Sequence, residues 1–222
     1  MSAPGRDILR FDTVLFDLDG TLLYTLPDIR EAVNHTMRAY GWPEHTMEET
    51  RGFIGNGVRK LLERAMPSGA VWSDEIFRCY EDYYAVHGSD HVTVYPGVRE
   101  MLAALRKRGV RTGVVTNKTH PSAAAMIDAF FGPTMEVTEG KRPNRPAKPA
   151  PEAVWDAMAA LDAVRERTLY VGDSGVDAQT AASAGIACVL AAWGYWERER
   201  LERCEAMAVI DRPEELMEYF GD

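Results

Sequence analysis

The chain has 222 residues, 46% of them hydrophobic and 27% charged, which suits one large globular unit or one unit carrying a sizeable insertion. Its 34 acidic against 25 basic residues leave a net charge of −9. That balance argues against a general nucleic-acid binder, whose affinity rests on neutralising phosphates with Lys and Arg.

Residues 11–16 read as a buried strand that ends in Asp17-Leu18-Asp19-Gly20-Thr21. Alternation along an extended chain points Asp17 and Asp19 the same way, at the carboxyl end of the strand. Two carboxylates that close cannot both stay ionised cheaply unless a cation lies between them or one holds a proton. A divalent metal together with a phosphate ester would relieve that repulsion. Gly20 lets backbone approach a ligand without Cβ interference, and amide hydrogens at Gly20 and Thr21 would hold phosphoryl oxygens. The plainer reading is a strand followed by an Asp-Gly turn.

Pro27 suits the first turn of a helix carried by Ile29, Val33, Met37 and Tyr40 and stopped by Gly41. Helical patterns recur near 46–52, 57–66 and 73–86, with no convincing strand between about 25 and 92. The texture changes at Tyr95. An amphipathic helix over 98–108 leads to a strand over 110–116, a helix over 120–130 and an ambiguous stretch around 135–138. A basic, proline-rich loop containing Arg142, Arg145 and Lys148 precedes a helix over 151–161. Strands over 168–171, 186–191 and 208–210 alternate with a helix over 177–184 and a last helix from Pro213. Alternating strands and helices indicate an α/β fold, a doubly wound parallel sheet with helices on both faces and an inserted all-helical segment. The expected organisation is a core of residues 1–22 and 95–222 with an insert of 23–94.

Cys79, Cys188 and Cys204 have neither the number nor the spacing of a disulfide framework or a zinc site. Cys188 sits in an apolar run and is expected to pack as a small hydrophobe. No apolar stretch is long enough to span a bilayer, and no secretory pattern is visible, so a cytoplasmic setting is expected. The five histidines form no ligand pattern and are assigned to surface or hinge positions.

In such sheets ligands bind beyond the carboxyl ends of the strands. Three strand ends carry polar groups that are costly without a use: Asp17 with Asp19, Thr116 with Asn117, and Gly172-Asp173-Ser174. Each has a bland reading on its own. Thr116-Asn117 would cap a helix before Pro121, Lys148 would be a solvated loop charge, and Asp173 with Asp177 would be an N-cap and a first-turn acid. Their joint occurrence favours a site.

On these residues the chain resembles the haloacid dehalogenase superfamily of phosphohydrolases almost end to end. The likeness rests on Asp17-x-Asp19-Gly20-Thr21, Thr116-Asn117, Lys148-Pro149 before a helix, and Gly172-Asp173-Ser174-x-x-Asp177. Within the superfamily the phosphoglycolate phosphatase branch fits best, from the helical insert, Ile54-Gly55-Asn56-Gly57, Val94-Tyr95-Pro96-Gly97 and Trp193-Gly194-Tyr195. The resemblance implies that Asp17 is a nucleophile forming an aspartyl-phosphate and that Asp19 protonates the leaving alkoxide and then serves as base. It implies Mg²⁺ held by the Asp17 carboxylate, the Asp19 backbone carbonyl and Asp173, with Asp177 and Ser174 behind them. Gly20, Thr21, Thr116, Asn117 and Lys148 would hold the phosphate. The insert would be a cap, hinged near 23–25 and 91–95, that excludes water and reads the organic part of the substrate through Asn56, Gly57 or Arg59.

Trp72, Tyr80, Tyr83 and Tyr84 are expected to pack the cap, and Arg59 with Lys60 to form a solvated helix face. Tyr24 stands where relatives often carry an acid, which bears on the choice of substrate. The implied partner is a small phosphorylated metabolite, with no nucleic acid or membrane, acted on by a monomer or homodimer. Alternatives are a phosphosugar mutase, a phosphonate hydrolase using Lys60, and a non-catalytic binding protein that keeps the fold.

Overall fold

The structure is a computed structural model that describes residues 11–221, so the part of the expected core at 1–10 lies outside the described residues. In chain order the elements are β1 (Thr13–Phe16), β2 (Leu23–Tyr24), α1 (Leu26–Ala39), α2 (Met47–Phe53), α3 (Gly57–Ala65), α4 (Asp74–His87), β3 (Thr93–Val94) and α5 (Val98–Lys107). They continue with β4 (Arg111–Thr119), α6 (His120–Phe130), β5 (Val137–Lys141), α7 (Glu152–Ala160), β6 (Thr168–Gly172), α8 (Gly175–Ala184), β7 (Ala187–Ala191), α9 (Arg198–Leu201) and β8 (Ala208–Ile210). A 3₁₀ segment, Pro213–Tyr219, follows where the sequence suggests an α-helix.

Six strands form one sheet in the order β5-β4-β1-β6-β7-β8, and every neighbouring pair is parallel. Both faces are buried, and alternation sorts the side chains. Val14 and Phe16 of β1, Leu169 and Val171 of β6, and Val189 of β7 pack with α5, α6 and the 3₁₀ segment. Leu15, Tyr170, Cys188 and Leu190 pack on the other face against α7, α8 and α9. The apolar strand runs in the sequence are therefore continuous rather than alternating, as a doubly covered parallel sheet requires. Cys188 is buried among them, as expected of a small hydrophobe.

Helices α1 to α4 lie between β2 and β3, which pair antiparallel as a two-stranded ribbon (Leu23 opposite Val94, Tyr24 opposite Thr93). Two ends of the helical layer meet beside this ribbon. Buried Asp28 accepts hydrogen bonds from the His91 amide and lies 2.7 Å from His91 Nδ1.

Three boundaries differ from the expectation, each for a local reason. β4 runs on to Thr119, so Thr116 and Asn117 belong to the strand and the N-cap of α6 is Thr119. The ambiguous stretch resolves into β5, because its backbone is recruited by β4. α8 begins at Gly175 rather than 177, because Ser174 and Asp177 close a reciprocal capping box.

Candidate active site

The site lies at the carboxyl ends of β1, β4 and β6. β1 is central, with β4 on one side and β6 on the other, so their loops converge on one point of the rim. Asp17 directly follows β1, and its amide donates to Val171 O of β6. Asp173 follows β6, and Asp177 lies in the first turn of α8. Oxygen atoms of Asp17, Asp173 and Asp177 come within 4.8 Å of one another.

Close approach of the loops depends on glycine. Gly20 has φ +87°, and a Cβ there would lie 2.2 Å from Asp173 Oδ2. A Cβ on Gly172 would meet Asp177 Cγ at 2.2 Å, and one on Gly194 would meet Asp173 Cβ at the same distance. The carboxylates thus stand where only bare backbone leaves room.

One ammonium is set among them. Lys148 Nζ lies 2.9 Å from Asp17 Oδ1 and donates to Asp177 Oδ1 at 2.7 Å and to Tyr170 Oη at 3.0 Å. The Tyr170 hydroxyl passes its own proton to Val115 O. Burial works against the charge on Lys148, but Asp17 and Asp177 outweigh it and raise its pKa well above the usual lysine value. Lys148 is therefore no solvated loop charge. Its loop is pinned by Asn117, which accepts from Lys148 N through Oδ1 and donates through Nδ2 to Lys148 O and to Gly55 O.

Burial raises the pKa of Asp17 to about 6, partly offset by Lys148 and reinforced by Asp177 and Asp19. Asp173 is pushed up by burial first, then by Asp177 and Asp17. Asp17 Oδ1 is buried and receives no well-directed hydrogen bond, since Lys148 is near enough to attract it but off the bonding direction. Three carboxylates against one ammonium, with a buried Asp17 oxygen that lacks a hydrogen-bond partner, fit a hard divalent cation. Asp173 is held for this by Tyr195 N (2.7 Å to Oδ2) and by the Thr21 hydroxyl (3.3 Å to Oδ1).

Asp19 is turned differently. Its carboxylate is absent from the three-carboxylate cluster. Instead it accepts the Thr25 hydroxyl at 2.6 Å and Lys118 Nζ at 2.8 and 3.1 Å. Because Thr25 spends its proton on Asp19, Tyr195 Oη, 2.9 Å away, donates to Thr25. The two acids of the first motif, expected to share one environment, thus occupy two: one joins the three-carboxylate cluster and the other a polar wall.

Several expected phosphate contacts take other duties. The Gly20 and Thr21 amides donate to Leu23 O and Leu18 O, the Thr21 hydroxyl is fully buried and serves Asp173, and the Asn117 amide is committed to backbone groups. In this arrangement none of them is free to hold an anion. Thr116 lines the cleft, and its oxygen accepts Lys118 N at 3.2 Å, leaving its hydroxyl proton for a ligand. Ser174 and Asp177 cap α8 together. Both Asp177 oxygens are occupied, so it orders Lys148 and the helix start.

The helical layer closes the cleft with other residues than those expected. Gly57 lines it, but Asn56 accepts from Arg64, and Arg59 pairs with Glu63 and stacks on Trp72 at an exposed face. Lys60 also pairs with Glu63, away from the cleft, which removes the lysine on which a phosphonate-hydrolase reading depends. Tyr80 and Tyr84, expected to pack only the layer itself, line the cleft as a stacked pair. Arg145 of the basic loop is largely buried between Glu139 and Asp156 and steadies that loop. Sequence reasoning missed Lys118. Its signal was position, directly after Thr116-Asn117 at a strand end that reaches the site.

The model of the haloacid dehalogenase-like hydrolase family matches residues 14–191. The chain is 32% identical over 206 residues to a phosphoglycolate phosphatase of Pseudomonas putida, covering 89% of this chain and 75% of that one. It is 37% identical over 192 residues to a phosphoglycolate phosphatase of Cereibacter sphaeroides, covering 82% of this chain and 85% of that one. Among solved structures, a predicted phosphoglycolate phosphatase from Haemophilus somnus superposes with a TM-score of 0.85 at 27% identity, over 93% of this chain and 96% of the other.

Proposed function

This chain belongs to the haloacid dehalogenase-like hydrolase family, in its phosphoglycolate phosphatase-like branch, and from that membership we propose a Mg²⁺-dependent phosphatase for a small phosphate monoester, phosphoglycolate being the best single candidate. It is a phosphoric monoester hydrolase, and the proposal concerns the metal, the mechanism and the substrate. The observation that carries it is the cluster of Asp17, Asp173 and Asp177 around one buried lysine at the rim of a parallel sheet.

Asp17 is the nucleophile. Its carboxylate attacks phosphorus, the ester bond to the alcohol breaks, and water later cleaves the aspartyl-phosphate. Asp19 gives a proton to the departing alkoxide and takes one from the attacking water. Its hydrogen bonds from Thr25 and Lys118 hold it apart from Asp17, which supports the two different roles. Lys148 and the Thr116 hydroxyl offset charge on the transferring oxygens. Asp17, Asp173 and the Asp19 carbonyl would hold Mg²⁺, which neutralises phosphate charge when bound. Helices α1 to α4 form the cap, and residues 23–94 a domain that excludes water around the transfer.

Phosphate release from p-nitrophenyl phosphate and from 2-phosphoglycolate, with and without EDTA, tests this reading. Magnesium-dependent, multiple-turnover hydrolysis is expected, and Asp17→Asn abolishes it. Activity that survives this substitution would mean another nucleophile. Isomerisation of a sugar phosphate with little phosphate release would favour the mutase alternative.

A further inference from the structure

The Lys118 ammonium positions Asp19 but contacts neither the phosphate site nor the three-carboxylate cluster; the residue is 8% exposed and lines the cleft on the Asp19 side. We propose that Lys118, with the Tyr84 hydroxyl, is the specificity-determining pair that binds a carboxylate on the alcohol portion of the substrate. The proposal rests on the phosphatase reading and adds to it the residues that choose the ester.

The cations around the cleft differ in what they already hold, and Lys118 is the one beside Asp19. Lys148 is enclosed by Asp17, Asp177 and Tyr170. Arg51 also lines the cleft; its Nη1 reaches Glu197 at 3.4 Å and Glu48 at 3.7 Å, while its buried Nε has no hydrogen-bond partner among the described residues. Arg59 and Lys60 are spent on Glu63 at the outer face. Lys118 Nζ is placed otherwise: Asp19 takes two of its contacts, and the Tyr84 ring lies 4.6 Å away. An ammonium offers three donors, so one remains for a ligand.

A second, independent observation concerns Tyr84. Its hydroxyl is buried and has no hydrogen-bond partner among the described residues, although the residue lines the cleft. An unsatisfied buried hydroxyl is costly and calls for an acceptor. A carboxylate, with two anionic oxygens, accepts from an ammonium and a phenol together. Because Lys118 grips Asp19, which faces the leaving alcohol, a carboxylate bound there is separated from the phosphorus by only a short chain. That describes the phosphate ester of a short hydroxy acid. Glu81 lines the same cleft and would oppose an anion, but it accepts the Thr119 hydroxyl at 3.2 Å, and burial raises its pKa. The apolar residues Ile29, Val58 and Leu61 across the cleft exclude water from the pair, which strengthens it.

The test compares 2-phosphoglycolate with ethyl phosphate, which has the same chain length and no carboxylate. Wild type, Lys118→Gln and Tyr84→Phe are assayed as full-length protein with magnesium. Because Lys118 also positions Asp19, both rates fall in Lys118→Gln, and the readout is the ratio of kcat/KM between the two esters. Wild type should favour phosphoglycolate by about 30-fold or more, as expected for hydrogen bonds to a charged group. The ratio should fall to near one in Lys118→Gln, mainly through KM, and about fivefold in Tyr84→Phe. Binding of phosphonoacetate against ethylphosphonate, followed by calorimetry, should change in parallel without any turnover. A ratio that stays the same in Lys118→Gln, or a wild type indifferent to the carboxylate, overturns the assignment. A wild type that hydrolyses p-nitrophenyl phosphate but neither ester overturns this assignment alone, and one that hydrolyses none of the three removes the proposed mechanism and this proposal with it.

Discussion

Substituting Asp17 by Asn separates the chemistry of the site from its cost to the fold. In the metal-free protein burial raises the Asp17 pKa from 3.8 to about 6, so its negative charge is net unfavourable in the native state even beside Lys148. A group whose folded pKa lies above its unfolded value contributes stability that is complete below the unfolded pKa and is lost as pH rises through the folded one. Here the window runs from pH 3.8 to about 6, and the loss above it is about 3 kcal/mol as an upper bound. Asparagine keeps the shape without the charge and escapes the loss. In EDTA, Asp17→Asn is therefore expected to match wild type near pH 4. At pH 7.5 it should unfold at a higher temperature, by at most about 6–12 °C at about 2–4 °C per kcal/mol for a chain of this size. Scanning calorimetry across this range reads the difference directly. Added magnesium should narrow or reverse the gap, because an ion that binds the native carboxylate cluster stabilises it by mass action. A gap that does not vary with pH, or a variant less stable than wild type in EDTA at pH 7.5, would refute the reasoning.

Three further outcomes follow from the same contacts. Lys148→Met leaves Asp17 and Asp177 buried without their cation, so activity should vanish and urea unfolding should show a loss of about 3–5 kcal/mol. Asp173→Ala removes a candidate ligand and lightens the like-charge cluster. Its thermal midpoint in EDTA should hold or rise while the magnesium-induced shift of wild type disappears; an undiminished shift would exclude Asp173 as a ligand. Gly194→Ala puts a methyl group 2.2 Å from Asp173 Cβ and 2.4 Å from Gly20 O. This overpacking should cost about 1–3 kcal/mol and weaken magnesium affinity in a titration, whereas Gly41→Ala, whose added Cβ meets no atom within 4 Å, should leave magnesium affinity as it was.

The sheet and the gathering of polar residues at its rim were legible in sequence. Apolar runs such as Val14-Leu15-Phe16 and Leu169-Tyr170-Val171 mark strands buried on both faces, and a parallel sheet brings their carboxyl ends to one edge. That placed Asp17, Thr116 and Asp173 together without any knowledge of side-chain direction. The helical layer was legible too, because its apolar spacing has no competing strand pattern. The direction of each polar atom was not. Thr116, Asn117, Lys118 and Thr119 all line the cleft in succession, where strict alternation would send every second one away. The pairing of β4 with β5 shifts register between Val115 and Thr119, and this irregularity is invisible to periodicity.

Sequence alone therefore determined the chain's architecture and the edge at which chemistry is possible, because burial pattern and strand direction are properties of local order. Tertiary packing decided the division of labour: Asp17 toward Lys148, Asp173 and Asp177, Asp19 toward Lys118 and Thr25, Asn117 to the backbone, and Tyr84 to the cleft. Those assignments depend on which donor arrives from a distant segment, such as Tyr195 N on Asp173 or Lys148 Nζ beside Asp17. Only the folded chain brings such partners within hydrogen-bonding reach.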